Sequence, residues 1–148
     1  MKNLNIFLSG GMTGLSKEEA KQWRYDLTIR SKYYPHIHLI DPTEYFFPHS
    51  PTDKDYEKEA MKFDMYHLLH SDLVIVNFNS PYSIGTAQEL AIAHINNIPI
   101  FGIIEEDKHL SLHPWYKEEC TKIFTYDQDN YYEVLDTVLF YIDKHYSI

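Results

Sequence analysis

Two carboxylates and a glycine-rich turn are the features of this 148-residue chain whose types and spacing suit chemistry. Glu89 lies in "NSPYSIGTAQELAIA" (79–93), in what reads as the first turn of a helix that follows an apolar strand. Two readings of it stand side by side. Thr86-x-x-Glu89 has the spacing of a capping box, in which the Glu side chain only returns a hydrogen bond to the Thr86 backbone. Alternatively, Glu89 faces a crevice. There the helix dipole favours its ionised form, and a carboxylate can attack an electrophilic carbon. Asp64 poses the same choice. It lies four residues after Ala60 and four before Leu68, beside Met65, so it interrupts the inward face of its helix. A carboxylate there is costly unless it is hydrogen-bonded or functional; at the edge of the stripe it would simply reach water. Two acids converging on one crevice suit glycosyl chemistry, one as nucleophile and one positioning or donating a proton.

The supporting residues fall in two loops. In "SGGMTG" (9–14), Ser9, Gly10 and Gly11 can contact a ligand, because Gly10, Gly11 and Gly14 permit close backbone approach or positive φ. The run matches neither G-x-G-x-x-G nor the Walker pattern. Asn77 closes an apolar strand, and the loop beyond it carries Ser83, Gly85 and Thr86. Ser83 can act as a turn or cap residue, or can offer its hydroxyl to an anion beside the N–H groups of a helix start. A third group, Tyr45, Phe46 and Phe47, can stack on a flat base, or can serve loop packing or a subunit contact.

These loops need a frame, and the pattern supplies one. "LNIFLS" (4–9), "HIHLI" (36–40), "DLVIVNF" (72–78), "IPIFGII" (98–104) and "KIFTY" (122–126) read as strands. Helices are expected between them. The first opens at a Ser16-x-x-Glu19 capping box and turns Ala20, Trp23 and Leu27 inward. Others run from about Asp55 to His70, from about Thr86 to Asn96, and through Val134, Leu135, Val138, Tyr141 and Ile142. Residues 41 to 54, with Pro42, Pro48 and Pro51, are too proline-rich for regular structure. The alternation predicts one doubly wound α/β domain spanning residues 1–148: a five-stranded parallel sheet of order 2-1-3-4-5 with helices on both faces. In such sheets the ligand crevice opens where the winding reverses, between strands 1 and 3. The loops after Ser9 and Asn77 lie there.

Composition narrows the partners. A net charge of −9 with two arginines, Arg24 and Arg30, argues against a nucleic-acid groove. No apolar run approaches the ~20 residues of a membrane span, and "MKNLNIFLSGG" reads as a first strand and not as a signal peptide. A single cysteine, Cys120, excludes an internal disulfide and any C-x-x-C motif, in keeping with a reducing cytoplasm. The nine histidines include His36-x-His38 and the His109/His113 pair, yet neither pair has a flanking carboxylate in a zinc pattern. They read as scattered surface residues, so no metal and no cofactor is expected.

Taken together, "IFLSGGMTG", "FDMYHLLHSDLVIVNFNS" and "SIGTAQELAIAHINNIPIFG" resemble the nucleoside 2-deoxyribosyltransferase superfamily over about the first hundred residues. The resemblance implies a flavodoxin-like, Rossmann-like fold and cleavage of the N-glycosidic bond of a nucleoside or deoxynucleoside, a reaction of nucleotide metabolism and salvage. It implies that Glu89 attacks the anomeric carbon to form a covalent glycosyl-enzyme. A second base (transferase) or water (hydrolase) then resolves this intermediate with retention, and Asp64 assists the nucleophile or the leaving base. Many transferases carry Asp where this chain has Ser83. A Ser there resembles the related 2'-deoxynucleoside 5'-phosphate N-hydrolases, where it helps hold the 5'-phosphate; an Asp would repel that group. The partner expected is therefore a nucleoside or nucleoside 5'-monophosphate, with no nucleic acid, no membrane, and a homo-oligomeric assembly. The alternatives are a non-catalytic nucleotide-binding or sensing module of the same fold, and a structural subunit whose 13 tyrosines serve assembly.

Overall fold

The structure is a computed structural model that describes residues 1–12, 14–46, 54–80 and 82–148. Five strands, β1 (Leu4–Gly10), β2 (Ile37–Ile40), β3 (Leu73–Asn77), β4 (Ile100–Glu105) and β5 (Lys122–Tyr126), form one parallel sheet in the order β2-β1-β3-β4-β5. This is the expected architecture and strand order. Among the described residues five helices connect and cover it: α1 (Lys17–Ser31), α2 (Lys54–Leu69), α3 (Ile84–Ile95), α4 (Pro114–Glu119) and α5 (Tyr131–Tyr146). No helix among the described residues is long and apolar enough to cross a membrane.

Alternation along the buried strands divides the interior in two. Leu73 and Ile75 of β3 face a core closed by Trp23 and Leu27 of α1 and by Leu135, Val138, Leu139 and Ile142 of α5. Val74 and Val76 face the other core, closed by Leu68 of α2, Leu90 and Ala93 of α3, and Tyr116 of α4. Since β3 is buried on both faces, its sequence reads as a continuous apolar run.

The expected capping box is present at α1: the Glu19 N–H donates to Ser16 Oγ at 3.0 Å, and the Ser16 N–H donates to Glu19 Oε1 at 3.1 Å. Other expectations are corrected. The segment after β2 is not wholly irregular, because Pro42–Glu44 forms a 3-10 turn capped by Asp41. A second 3-10 turn, Glu106–Ser111, and α4 follow β4. Histidines among the described residues have specific partners, His70 Nδ1 lying 2.7 Å from the Tyr66 carbonyl. His36 Nε2 lies 2.5 Å from Asp143 Oδ1, and His113 Nδ1 accepts the Trp115 N–H at the start of α4.

The register creates the crevice. β1 pairs with β2 only from Leu4↔Ile37 to Phe7↔Ile40, but with β3 as far as Gly10↔Asn77. The last residues of β1 therefore extend past the end of β2, and the chain leaves β1 and β3 in opposite winding directions.

Candidate active site

The crevice is a cavity of about 800 Å³ at the C-terminal ends of β1 and β3. Asp64 and Glu89 both face it, with Gly10 from β1 and Ser83, Gly85 and Thr86 from the start of α3. Glu89 is 7% exposed, and its Oε1 accepts a hydrogen bond from Ser9 Oγ at 3.1 Å.

The local fold decides what Glu89 is free to do. Helix α3 starts at Ile84, not near Thr86, because Ser83 is the N-cap and its Oγ accepts the Thr86 N–H at 3.4 Å. Thr86 is thus the third residue of the helix and Glu89 lies in the second turn, too far along to reach the first N–H groups. This overturns the capping-box reading of Thr86-x-x-Glu89. It also removes the helix dipole as the governing influence, since that effect fades within the first turn. Burial governs instead. It pushes the Glu89 carboxyl up to about 8, and Asp64 pushes in the same direction, while the Ser9 hydrogen bond and Arg24 oppose it. Asp64 is raised to about 7 by burial, against Arg24 and with a smaller push from Glu57.

The cavity is left with unmet polar demand. Asp64 Oδ1 and Thr86 Oγ1 are buried without a hydrogen-bond partner among the described residues, and both residues line the cavity. Buried polar atoms are normally paired, so an orphaned acceptor and an orphaned hydroxyl facing one space mark where a polar ligand would bind.

The glycine turn works differently from a simple phosphate cradle. The Gly11 N–H is already taken by Asn79 Oδ1 at 3.2 Å, and Asn79 Nδ2 reaches the Glu19 carbonyl at 3.4 Å. A Cβ on Gly11 would stand 2.5 Å from Ser80 Cβ, so glycine is what lets the loops after β1 and β3 touch. Gly14, with φ of 82°, turns the chain toward α1. Among the other expected site residues, Ser9 holds Glu89, while Asn77 is buried at the end of β3 with its Oδ1 unpartnered among the described residues. Phe46 reaches the cavity and packs edge-on against Tyr56, which also lines it. Tyr45 is 65% exposed and lies against Phe63. Phe47 falls outside the described residues.

Sequence reasoning missed Asn79 and Arg24. Asn79 had a legible signal, a polar residue directly beyond a buried strand end. Arg24 had none, because a single Arg in an amphipathic helix reads as a surface residue. It is 1% exposed and donates to the carbonyl of Gly10, which lines the cavity.

No family profile and no curated protein matches the sequence. Solved structures do match it by fold. A conserved protein from Enterococcus faecalis V583 superposes with a TM-score of 0.66 at 16% identity, over 92% of this chain and 99% of that one. A 2-deoxyribosyltransferase from Bacillus psychrosaccharolyticus gives 0.63 at 14% identity, over 86% and 95%. The CMP N-glycosidase BcmB of Clostridium botulinum gives 0.61 at 16% identity, over 93% and 98%. The chain shares the fold of these three proteins.

Proposed function

We propose that residues 1–148 form one catalytic domain that cleaves the N-glycosidic bond of a nucleoside or nucleoside 5'-monophosphate, with Glu89 as nucleophile and Asp64 as its proton partner. One observation carries the reading: two buried carboxyls face a single cavity at the β1/β3 crevice, where Asp64 Oδ1 and Thr86 Oγ1 lack partners among the described residues. The 2-deoxyribosyltransferase and CMP N-glycosidase of the same fold support it.

In the ligand-free pair burial holds a proton more firmly on Glu89 than on Asp64. The reactive form is therefore the one in which that proton has passed to Asp64 and Glu89 is the carboxylate. A Glu89 carboxylate oxygen bonds to C1' of the sugar, the C1'–N bond breaks, and its electron pair passes to the base nitrogen. The departing base needs a proton, which the raised Asp64 carboxyl can supply near neutral pH. Water or a second base nitrogen then attacks C1' from the opposite face, gives its proton back to the Asp64 carboxylate and releases Glu89 as carboxylate. Two inversions give retention. Ser9 keeps Glu89 in one orientation throughout. The wall made by Phe46 and Tyr56 offers a flat apolar surface for a base. Ser83 and Thr86 at the start of α3 offer hydroxyls to the sugar or its phosphate.

The test is a chromatographic screen of nucleosides and their 5'-monophosphates, each with and without a free acceptor base, run on the parent and on Glu89→Gln. Base release or exchange by the parent, abolished in the variant, is the expected result. Ligand binding with no release from any substrate would replace this reading with a non-catalytic nucleotide-binding module.

A further inference from the structure

Arg24 is the side chain that the proposed chemistry leaves unused, and its surroundings are unusual. Its guanidinium is buried beneath the sheet end and donates to three main-chain carbonyls: Ala20 O, Gly10 O at 3.2 Å and Leu8 O at 3.4 Å. Leu8 and Gly10 flank Ser9, whose hydroxyl holds Glu89. Both lie past Phe7, the last residue of β1 that has a partner in β2. The guanidinium thus takes the place of the missing strand and fixes the segment carrying Ser9. Among the described residues its ion-pair partner is Asp41, directly after β2, whose Oδ1 stands 3.8 Å from Nε. Asp41 Oδ1 is itself fixed by the Thr43 N–H at 2.9 Å and the Thr43 hydroxyl at 2.6 Å.

We infer that Arg24 is a positioning residue for the acid pair: it braces β1 on either side of Ser9 and directs part of a buried positive charge at Glu89 and Asp64, with Asp41 setting how much of that charge the pair receives. This rests on Glu89 as the reacting carboxylate. The balance of effects is specific. Burial lowers Arg24 to about 10, and Asp41, Glu89 and Asp64, in that order, resist the change, so the group stays charged at neutral pH. In return Arg24 favours the ionised form of both acids. The groups facing this cluster are Asp41 after β2, Asp64 and Glu57 from α2, and Glu89 from α3 with the Ser9 hydroxyl from β1. Removing Arg24 and removing the Asp41 charge should therefore shift the acids in opposite directions, which loss of a purely structural brace would not do.

The experiment is a carboxyl-carbon NMR titration of the ligand-free protein, the Glu89 and Asp64 signals being assigned by their disappearance in Glu89→Gln and Asp64→Asn. Arg24→Gln is expected to raise the Glu89 midpoint by about one pH unit, Asp41→Asn to lower it by a similar amount, and Arg24→Lys to stay near the parent. The acid limb of kcat/KM should move with each midpoint. Unmoved midpoints in a folded Arg24→Gln, or a rise in Asp41→Asn, would overturn the inference. Should Arg24→Gln fail to fold, the Asp41→Asn shift decides alone. The titration needs no turnover, so it remains decisive even if Glu89→Gln keeps full activity and the catalytic reading fails.

Discussion

Two stretches of this chain look alike on paper. Ser16-x-x-Glu19 and Thr86-x-x-Glu89 both place a hydroxyl three residues before a Glu at the start of an amphipathic helix. In the first, both reciprocal hydrogen bonds form, and Glu19 is exposed with its carboxylate spent on the Ser16 N–H. In the second, neither partner caps the other. Ser83 takes the capping role, Thr86 Oγ1 has no partner among the described residues, and Glu89 turns inward to Ser9 across the sheet end. A four-residue pattern is thus structural when its acid is satisfied locally and solvated, and a candidate for chemistry when tertiary structure withholds both. The distinction lies in one helix start shifted by three residues.

The sharpest way to break the comparison is to make one substitution at both places. Gln preserves the hydrogen-bonding shape of Glu but cannot form a glycosyl ester. Glu89→Gln should lower turnover by about 10³-fold or more. Glu19→Gln should leave turnover within a factor of about two, since Gln also completes a capping box. Equal losses at both sites, measured as base release per enzyme, would erase the distinction. A smaller loss is expected when the second acid is removed. Asp64→Asn keeps the size of the side chain but removes the proton donor, so turnover should fall by about 10²-fold. The loss should be smaller for substrates whose base leaves easily without protonation, and a series of leaving bases checks this.

Stability supplies a third test of Glu89. The folded protein keeps a proton on Glu89 up to about 8, whereas the unfolded chain releases it near 4.5. Between those values the native state binds more protons than the unfolded one. Ligand-free stability therefore falls as pH rises through the window and levels off above it. Glu89→Gln has no such proton to lose. Its advantage over the parent should grow from pH 4.5 to about 8, reaching the order of a few kcal/mol, in urea unfolding of the two proteins side by side. A gap that stays flat with pH would mean that burial does not hold a proton on Glu89.

The sheet order and the α1 cap were legible because each rests on local pattern. β1, β3 and β4 are near-continuous apolar runs, and Ser16, Glu19, Ala20, Trp23 and Leu27 agree on one helix and one inward face. The place of the crevice was legible from topology, since the winding reverses between β1 and β3, and Asp64 from its interruption of the inward face of α2. The α3 start was misplaced because Gly85 and Ser83 read as turn residues, yet a glycine in the first turn is tolerated once Ser83 caps it. α4 was missed because six residues carry no periodicity to read. Arg24 was illegible for a deeper reason. Its partners Gly10 and Asp41 are distant in sequence, and β2 must end at Ile40 before their carbonyl and carboxylate come within its reach.

The finest test compares the two hydroxyls themselves. Ser16 Oγ accepts the Glu19 N–H, so Ser16→Ala should cost about 1 kcal/mol, the usual penalty for losing an N-cap. It should leave KM unchanged, because α1 presents that cap to solvent. Thr86→Val removes a hydroxyl of nearly the same volume that has no partner among the described residues. An unsatisfied buried group contributes nothing favourable to the fold, so the variant should be within about 0.5 kcal/mol of the parent, or slightly more stable. What it should lose is affinity: with no hydroxyl to meet the ligand in the cavity, KM should rise several-fold while kcat changes less. A stability loss at Thr86 as large as that at Ser16, with KM unmoved, would show that the hydroxyl serves the helix after all, and that the two motifs differ only in where they lie.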